Sequence, residues 1–230
     1  MKRISLIISF VMLFALGGMA QKGDFRIGLK LGPSFDWASF GSEQTKNDGM
    51  KVGFTTGLVF DRYFTDHIAI SSGVNLNLLR MKYNFTDVRK VDGFLQEVSV
   101  MVNRQLKATN VEVPIKLKVN VDVADSFRAY VEAGAGLSYN IKDLGKDNYT
   151  FNWISYESQG FEDCTHQYRP LQVSMVFGLG AEYEINRNFT AFAQLTFDHA
   201  FSNAFNKALK NQTGSILRNN FIGFEVGILY

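Results

Sequence analysis

Hydrophobic and polar residues alternate along most of this chain with a period of two, which is the pattern of a β-strand with one apolar face. The first run shows this simply, because Phe25, Ile27, Leu29 and Leu31 are separated by single polar or small residues. Similar runs recur up to the last residue, and together they predict strands at about residues 25–37, 50–61, 68–79, 111–119, 127–139, 171–183, 189–201 and 221–230. The chain is therefore predicted to be all-β, with eight strands.

The segments between these runs alternate in length. Three of them are short and cover residues 62–67, 120–126 and 184–188. Four are long and cover residues 38–49, 84–107, 140–168 and 202–217. Short turns at one end and long loops at the other are typical of barrels in bacterial outer membranes. We therefore predict an eight-stranded antiparallel up-and-down transmembrane β-barrel.

Two positions depart from the regular pattern. The alternation changes phase at Leu78 and Leu79, which predicts a β-bulge there. Pro114 lies inside the fourth run, and because proline cannot donate a hydrogen bond to a neighbouring strand, a second bulge is expected beside it.

The apolar face is predicted to meet lipid rather than to fill the barrel. A soluble barrel with an apolar interior would show the same period. However, eight strands enclose only enough space for one set of side chains, and the apolar rows hold too many large residues to fit there. The polar rows also contain many glycines, which suit the inside of a tightly closed sheet. The interior is therefore predicted to be polar.

Charged residues of both signs occur in the polar rows. Because charges in a confined interior must be paired, we predict an ion-pair network inside the barrel. A rigid, salt-bridged core and a narrow polar pore are both compatible with this pattern. The predicted network consists of Arg26, Lys30, Lys51, Glu112, Lys116, Lys118, Arg128, Glu132, Glu182, Asp198 and Glu225.

The N-terminus has the pattern of a secretory signal peptide. Two basic residues precede an apolar stretch at residues 4–16, and the small residues Gly18 and Ala20 follow it. We predict cleavage after Ala20, with residues 1–20 as the signal peptide and residues 21–230 as the barrel domain. The single cysteine, Cys164, cannot form an internal disulfide and is expected to be an incidental loop thiol.

Charge and aromatic content bear on the partners. The chain has 24 Lys and Arg against 22 Asp and Glu, and it has no basic block of the kind that binds nucleic acid. No nucleic-acid partner is therefore expected, and membrane lipid is the environment that the apolar outer face predicts. The last strand ends in an aromatic residue, which resembles the C-terminal signal read by the outer-membrane insertion machinery. Four aromatic residues are predicted to form interfacial girdles: Trp37, Tyr139, Tyr183 and Tyr230.

Four strand motifs resemble those of a known family. They are FRIGLKLG at residues 25–32, VEVPIKLK at 111–118, YVEAGAGLSY at 130–139 and FGLGAEY at 177–183. The chain resembles the small outer-membrane β-barrel proteins labelled PorT-like or porin-family proteins. The resemblance implies a barrel in the outer membrane without an evident catalytic centre, and the family's namesake is associated with a protein-secretion system.

One motif is similar to an enzyme motif. The stretch from His199 to Ala204 is similar to the His-x-Ser-Asn-Ala motif of lipid A deacylases, but Ser202 is one residue too far along. Residues three apart in a strand point to opposite faces, so His199 cannot readily act as the base for Ser202. We therefore predict no enzyme activity and no catalytic residue. The three histidines show no metal-ligand spacing, so no metal or cofactor is expected.

The long segment at residues 140–168 is the predicted partner-binding region, because aromatic residues among polar ones are enriched in interfaces. Alternatively, these aromatics extend the fifth and sixth strands above the membrane. The candidates are Tyr149, Phe151, Trp153, Tyr156 and Phe161. The leading functional hypothesis is a membrane scaffold or interaction protein that works through its extracellular loops, linked to secretion or envelope integrity. A narrow pore for small solutes ranks second, and a lipid A-modifying enzyme ranks third.

Overall fold

The alternating segments form antiparallel strands in the computed structural model, which describes residues 25–41, 45–90, 97–151, 154–158 and 160–230. The signal peptide, its cleavage site at Ala20 and the candidate Trp153 lie outside these residues. One short α-helix is present in the described part, α1 (Lys207–Thr213). The strands are β1 (Phe25–Phe40), β2 (Lys46–Asn47), β3 (Lys51–Tyr63), β4 (Ile68–Lys90), β5 (Glu97–Ala124), β6 (Phe127–Phe151), β7 (Ile154–Glu157), β8 (Glu162–Asp163), β9 (Leu171–Glu184), β10 (Thr190–Ala200) and β11 (Leu217–Leu229).

Eight of these strands close into a barrel. Strands β1, β3, β4, β5, β6, β9, β10 and β11 each pair antiparallel with the next in this order, and β11 pairs with β1. Short turns connect β3 to β4, β5 to β6 and β9 to β10, and we call this side of the barrel the turn end. The longer connections lie at the opposite side, the loop end. The predicted fold and the alternation of connection lengths are confirmed.

Three strands are much longer than the sequence pattern predicts. Strands β4, β5 and β6 have 23, 28 and 25 residues, so the predicted loops at 84–107 and 140–168 are in large part strand. Among the described residues, no helix has both the length and the apolar character needed to cross a membrane.

The predicted bulge at Leu78 and Leu79 is wrong. The β4–β5 pairing keeps a single register along its length, from Ile68 opposite Val119 to Lys90 opposite Glu97. The change of phase in the sequence has another cause, because the interior itself becomes apolar at this height. Leu79 points inward and is 4% exposed, and Met81, Tyr83 and Phe85, which follow on the same face of the strand, are also buried.

The bulge predicted beside Pro114 is also wrong. Pro114 lies in register opposite Gly136, and its carbonyl accepts a hydrogen bond from Ser72 Oγ at 2.8 Å. The β5–β6 register shifts instead between Thr109 and Asn110, with Ile141 as the additional residue on β6. A second shift lies near the turn end, between Asp122 and Ala124.

The barrel has two bands of opposite polarity. In the membrane band, from the turn end to about Leu78 on β4, Asn110 on β5 and Ile141 on β6, large apolar side chains point outward. Beyond these residues lies the part that we call the extension, where large apolar side chains point inward. The apolar core of the extension contains Leu79, Met81, Tyr83, Phe85, Val100, Val102, Leu106, Ala108, Cys164, Tyr168, Ala204, Phe205, Leu209, Leu217 and Phe221.

The connection between β10 and β11 folds inward and closes the loop end. Phe205 is fully buried, with its ring centroid 6.0 Å from that of Tyr168 and 6.2 Å from that of Tyr83. Helix α1 follows directly, with Asn206 as its N-cap accepting from the backbone N–H of Leu209 at 2.8 Å. The helix ends at Gly214, whose φ of 62° is a conformation that glycine adopts without strain.

Candidate functional site

The interior of the membrane band is organised around buried lysines. Lys30 Nζ donates to Glu225 Oε2 at 2.8 Å, and both side chains are at most 4% exposed. Lys116 forms a short ion pair with Glu132 across neighbouring strands β5 and β6. Removal from water makes an unpaired charge costly, so each of these pairs ties two neighbouring strands together inside the barrel.

Lys118 is shared between two carboxylates. Its ammonium lies 2.7 Å from Asp61 Oδ2 and also contacts Glu182 Oε1. Glu182 in turn accepts from Arg26 at 3.2 Å, which links the network to the turn end. The ring of Tyr130 lies 4.2 Å from the Lys118 ammonium and adds a cation–π contact.

The charges at the turn-end mouth are more exposed. Arg128 pairs with Glu184 and lies 3.4 Å from Asp122. Lys51 does not belong to the interior network, because its side chain is exposed at the first residue of β3. A flexible lysine at a strand end keeps its ammonium in water without the cost of burial. Apart from Lys51, the predicted network residues lie in the interior or at its mouth.

Glu112 and Asp198, like Asp36 and Asp143, are buried without an ion pair among the described contacts, and Glu112 and Asp198 line one cavity together. Glu112 Oε2 accepts from Asn77 Nδ2 at 2.5 Å, and Asp198 Oδ2 accepts from Ser174 Oγ at 2.7 Å. Among the described residues, neither carboxylate has a cation within ion-pair distance. Both are at most 6% exposed, so their charge is not compensated by solvent.

A cavity of about 460 Å³ opens at the turn-end mouth beside Arg26 and Arg128, but the cavities farther inside are very small. One cavity, beside Lys116, Lys118 and Glu132, has a volume of about 10 Å³. Another, beside Glu112 and Asp198, also has a volume of about 10 Å³. Each is about the size of one water molecule. The apolar core of the extension lies above both, so the described interior contains no wide aqueous path.

The extension also contains a buried polar cluster. The guanidinium of Arg104 makes two hydrogen bonds to Asp147, at 2.6 and 2.8 Å. The hydroxyl groups of Tyr83 and Tyr168 lie 2.5 Å apart, and burial raises the pKa of Tyr83 to about 12. The sequence interpretation missed this cluster because it placed Arg104 and Asp147 in loops.

Cys164 is part of the core of the extension rather than an incidental loop thiol. It is 6% exposed, and its Sγ donates to the carbonyl of Asp143 at 3.6 Å. Burial raises the pKa of the thiol to about 12, so it stays protonated at neutral pH.

Three of the candidate partner-binding aromatics, Tyr149, Phe151 and Tyr156, lie on β6 and β7, and Phe161 directly precedes β8. Tyr149 and Tyr156 face each other across the β6–β7 hairpin, with ring centroids 4.9 Å apart. Phe151 packs against the apolar core. Phe161 lies apart from them, with its ring centroid 3.7 Å from the Lys107 ammonium. Tyr149 and Phe151 therefore lie in the extension of β6, and the role of these aromatics in partner binding stays a prediction.

The four predicted girdle aromatics lie at the two edges of the membrane band. Tyr183 and Tyr230 are at the turn end and are 55% and 65% exposed. Tyr139 lies toward the loop end and is 55% exposed. Trp37, also toward the loop end, stacks on Phe197 at 6.2 Å.

The histidine–serine motif contains no His–Ser hydrogen bond among the described contacts. His199 Nδ1 lies 2.6 Å from Asn220 Oδ1, and the imidazole packs between Phe197 and Phe201. Ser202 Oγ accepts from the backbone N–H of Val173 at 2.9 Å. Among the described residues, no group of three or more His, Cys, Asp or Glu side chains is arranged to hold a metal.

Solved structures with a similar course of the chain are outer-membrane barrels. Neisserial surface protein A is 10% identical, with 88% of this chain and 95% of that chain covered and a TM-score of 0.41. OprG from Pseudomonas aeruginosa is 13% identical, with 91% and 96% covered and a TM-score of 0.41. The outer membrane protease OmpT from Escherichia coli is 10% identical, with 90% and 96% covered and a TM-score of 0.49.

The chain matches no curated protein sequence. The family described as the outer membrane protein beta-barrel domain matches residues 19–206, which include seven of the eight barrel strands. This chain therefore belongs to the outer membrane protein beta-barrel domain family.

Proposed function

We propose that the protein is a closed outer-membrane barrel that acts as a scaffold or interaction protein through its extension, and that it is neither a pore nor an enzyme. The observation that carries this proposal is the apolar core of the extension, which fills the barrel above the ion-pair network. A solute pore needs a continuous aqueous path, whereas this interior has cavities of about 10 Å³.

The outer surface of the extension supports the interaction role. Asn84, Asn103, Asn148 and Glu157 lie in one cross-strand row over β4, β5, β6 and β7. A groove of about 490 Å³ runs along this row. Amide and hydroxyl groups on a rigid sheet can hydrogen-bond a partner at a small entropic cost, because the strands are already ordered.

The narrower assignment to the PorT-like proteins belongs to this proposal and rests on the four strand motifs. Under it, the signal peptide directs export, the insertion machinery assembles the barrel, and the extension contacts a component of a secretion system or of the envelope. Removal of the gene followed by quantification of secreted proteins tests this part separately.

Conductance measurements test the closed barrel. Purified protein reconstituted into planar bilayers should show no stable single-channel steps above background. A heat-modifiable gel shift of the same sample verifies that the barrel is folded. Regular channel openings from folded wild-type protein would contradict the closed interior.

Complementation tests the interaction role. In a strain that lacks the gene, wild-type protein should restore the envelope or secretion defect, whereas the variant Asn103→Arg with Asn148→Arg should not. A control variant, Leu179→Phe, keeps the apolar character of the lipid-facing side and should complement fully. Full complementation by the folded double variant would contradict a role for the row.

A further inference from the structure

We propose that the barrel holds one buried divalent cation, calcium in preference to magnesium, between Glu112 and Asp198. The site is the cavity beneath the apolar core of the extension. Glu112, Asp198 and three inward-facing asparagines, Asn77, Asn110 and Asn219, line it. This binding site goes beyond the scaffold role and does not depend on it.

Three amide oxygens at this cavity have no hydrogen-bond partner. They are the Oδ1 atoms of Asn77, Asn110 and Asn219, whose side chains are 2%, 3% and 7% exposed. A buried carbonyl without a partner costs on the order of 1–3 kcal/mol, so three around one cavity require an explanation.

Neighbouring hydrogen bonds fix the orientation of two of these amides. The Nδ2 of Asn77 donates to the Glu112 carboxylate at 2.5 Å. The Nδ2 of Asn219 donates to Gln172 Oε1 at 2.9 Å. Because a carboxylate can only accept, Asn77 must turn its nitrogen to Glu112, which leaves its oxygen for a ligand, and the Asn219 oxygen is free in the orientation that the structure shows.

The charges point to a cation. Lys30, Lys116 and Lys118 are paired with other carboxylates, as described above. Glu112 and Asp198 accept hydrogen bonds only from neutral groups, Asn77 and Ser174, and the nearby ammonium of Lys30 lies beyond ion-pair distance of both. Two carboxylates without a cation in a water-poor interior are strongly unfavourable unless a positive charge or protons compensate them.

The donor set favours calcium. Carboxylates and amide carbonyls are hard oxygen ligands, and calcium accepts six to eight of them in irregular geometry. Magnesium demands a near-octahedral arrangement and gives up its water reluctantly. The cavity of about 10 Å³ has space for about one bound particle, which excludes a fully hydrated ion. Because buried residues line it, we expect the ion to be captured during folding.

Metal analysis after refolding tests the proposal. The full chain is refolded from urea into neutral detergent micelles with calcium, with magnesium or with a chelator, and free metal is then removed by gel filtration. Wild-type protein should retain about one calcium ion per folded barrel, and its urea midpoint should be higher with calcium than with chelator. The double variant Glu112→Gln with Asp198→Asn should retain no calcium, and its urea midpoint should be the same with calcium and with chelator.

Asp61→Asn is the matched control. Asp61 is also a buried interior carboxylate, but it pairs with Lys118, which keeps Glu182 as a partner. This variant should retain the calcium ion. The proposal is overturned if the wild-type protein retains no metal and the double variant is at least as stable as the wild type. This result would show that protons neutralise the two carboxylates. Equal calcium retention by the wild type and the double variant would also overturn the proposal.

Discussion

Individual interior charges have specific partners in this barrel. The Lys116 ammonium contacts Glu132, whereas Glu112, four residues nearer the loop end on the same strand, is bonded to Asn77 and lines a separate cavity. The alternation of the sequence predicted that these charges point inward. It could not predict which acid meets which base, because partners such as Lys118 and Asp61 are 57 residues apart and meet only when the barrel closes.

The Lys116–Glu132 pair gives a prediction at this scale. Lys116→Ile should destabilise the barrel by about 3–5 kcal/mol, because it leaves the Glu132 carboxylate buried without a partner. Addition of Glu132→Gln should restore most of this loss, because a neutral amide is much cheaper to bury than a carboxylate. The measurement is the free energy of unfolding in lipid vesicles.

The control for this prediction is Lys116→Ile combined with Glu112→Gln. Since Glu112 does not contact Lys116 within ion-pair distance among the described contacts, this second change should not rescue the variant. Rescue by Glu112→Gln and not by Glu132→Gln would mean that Lys116 pairs with Glu112 rather than with Glu132.

Among the elements, the strands confined to the membrane band were predictable and the extended strands were not. The bounds of β1, β3, β9 and β10 agree with the sequence pattern to within a few residues. In β4 and β5 the period of two continues past the membrane band. Most of the large apolar residues point outward in the membrane band and inward in the extension. If all apolar residues are assumed to point outward, this inversion is mistaken for a bulge at Leu78 and Leu79 and for a loop after them.

The connection from β10 to β11 gives a prediction for an element. Phe205→Ala should lower the stability of the extension by about 3–5 kcal/mol, because the ring is fully buried among Tyr83, Tyr168 and Phe40. Lys207 and Lys210 on helix α1 should then become sites of tryptic cleavage, which mass spectrometry detects.

Phe224→Ala is the control for this change. Phe224 is 47% exposed on the outer face of β11, so its removal should leave cleavage at helix α1 unchanged. If Phe205→Ala protein is as resistant to trypsin as the wild type, the connection does not depend on the aromatic cluster.

At the scale of the whole molecule, the outer surface of the barrel faces two environments, lipid around the membrane band and water around the extension. In the membrane band, lipid surrounds an apolar exterior, and the ion pairs are inside. In the extension, the apolar side chains are inside and the outward rows become polar. This is the arrangement of a soluble barrel, because burial removes apolar surface from water. The same strands continue from one band to the other, so the change of polarity on both faces of the sheet marks the edge of the membrane band.

Two matched substitutions on β5 test where the membrane ends. Ile115 and Met101 are both apolar, both point outward and are 62% and 67% exposed, but Ile115 is in the membrane band and Met101 is in the extension. Ile115→Lys should cost about 2–4 kcal/mol of stability in lipid vesicles, because it places a charge against hydrocarbon near the middle of the band. Met101→Lys should change stability by less than about 0.5 kcal/mol, because water solvates the ammonium there. Equal costs at the two positions would mean that both lie in lipid, and a tolerated Ile115→Lys would mean that the outward face of the membrane band is in water.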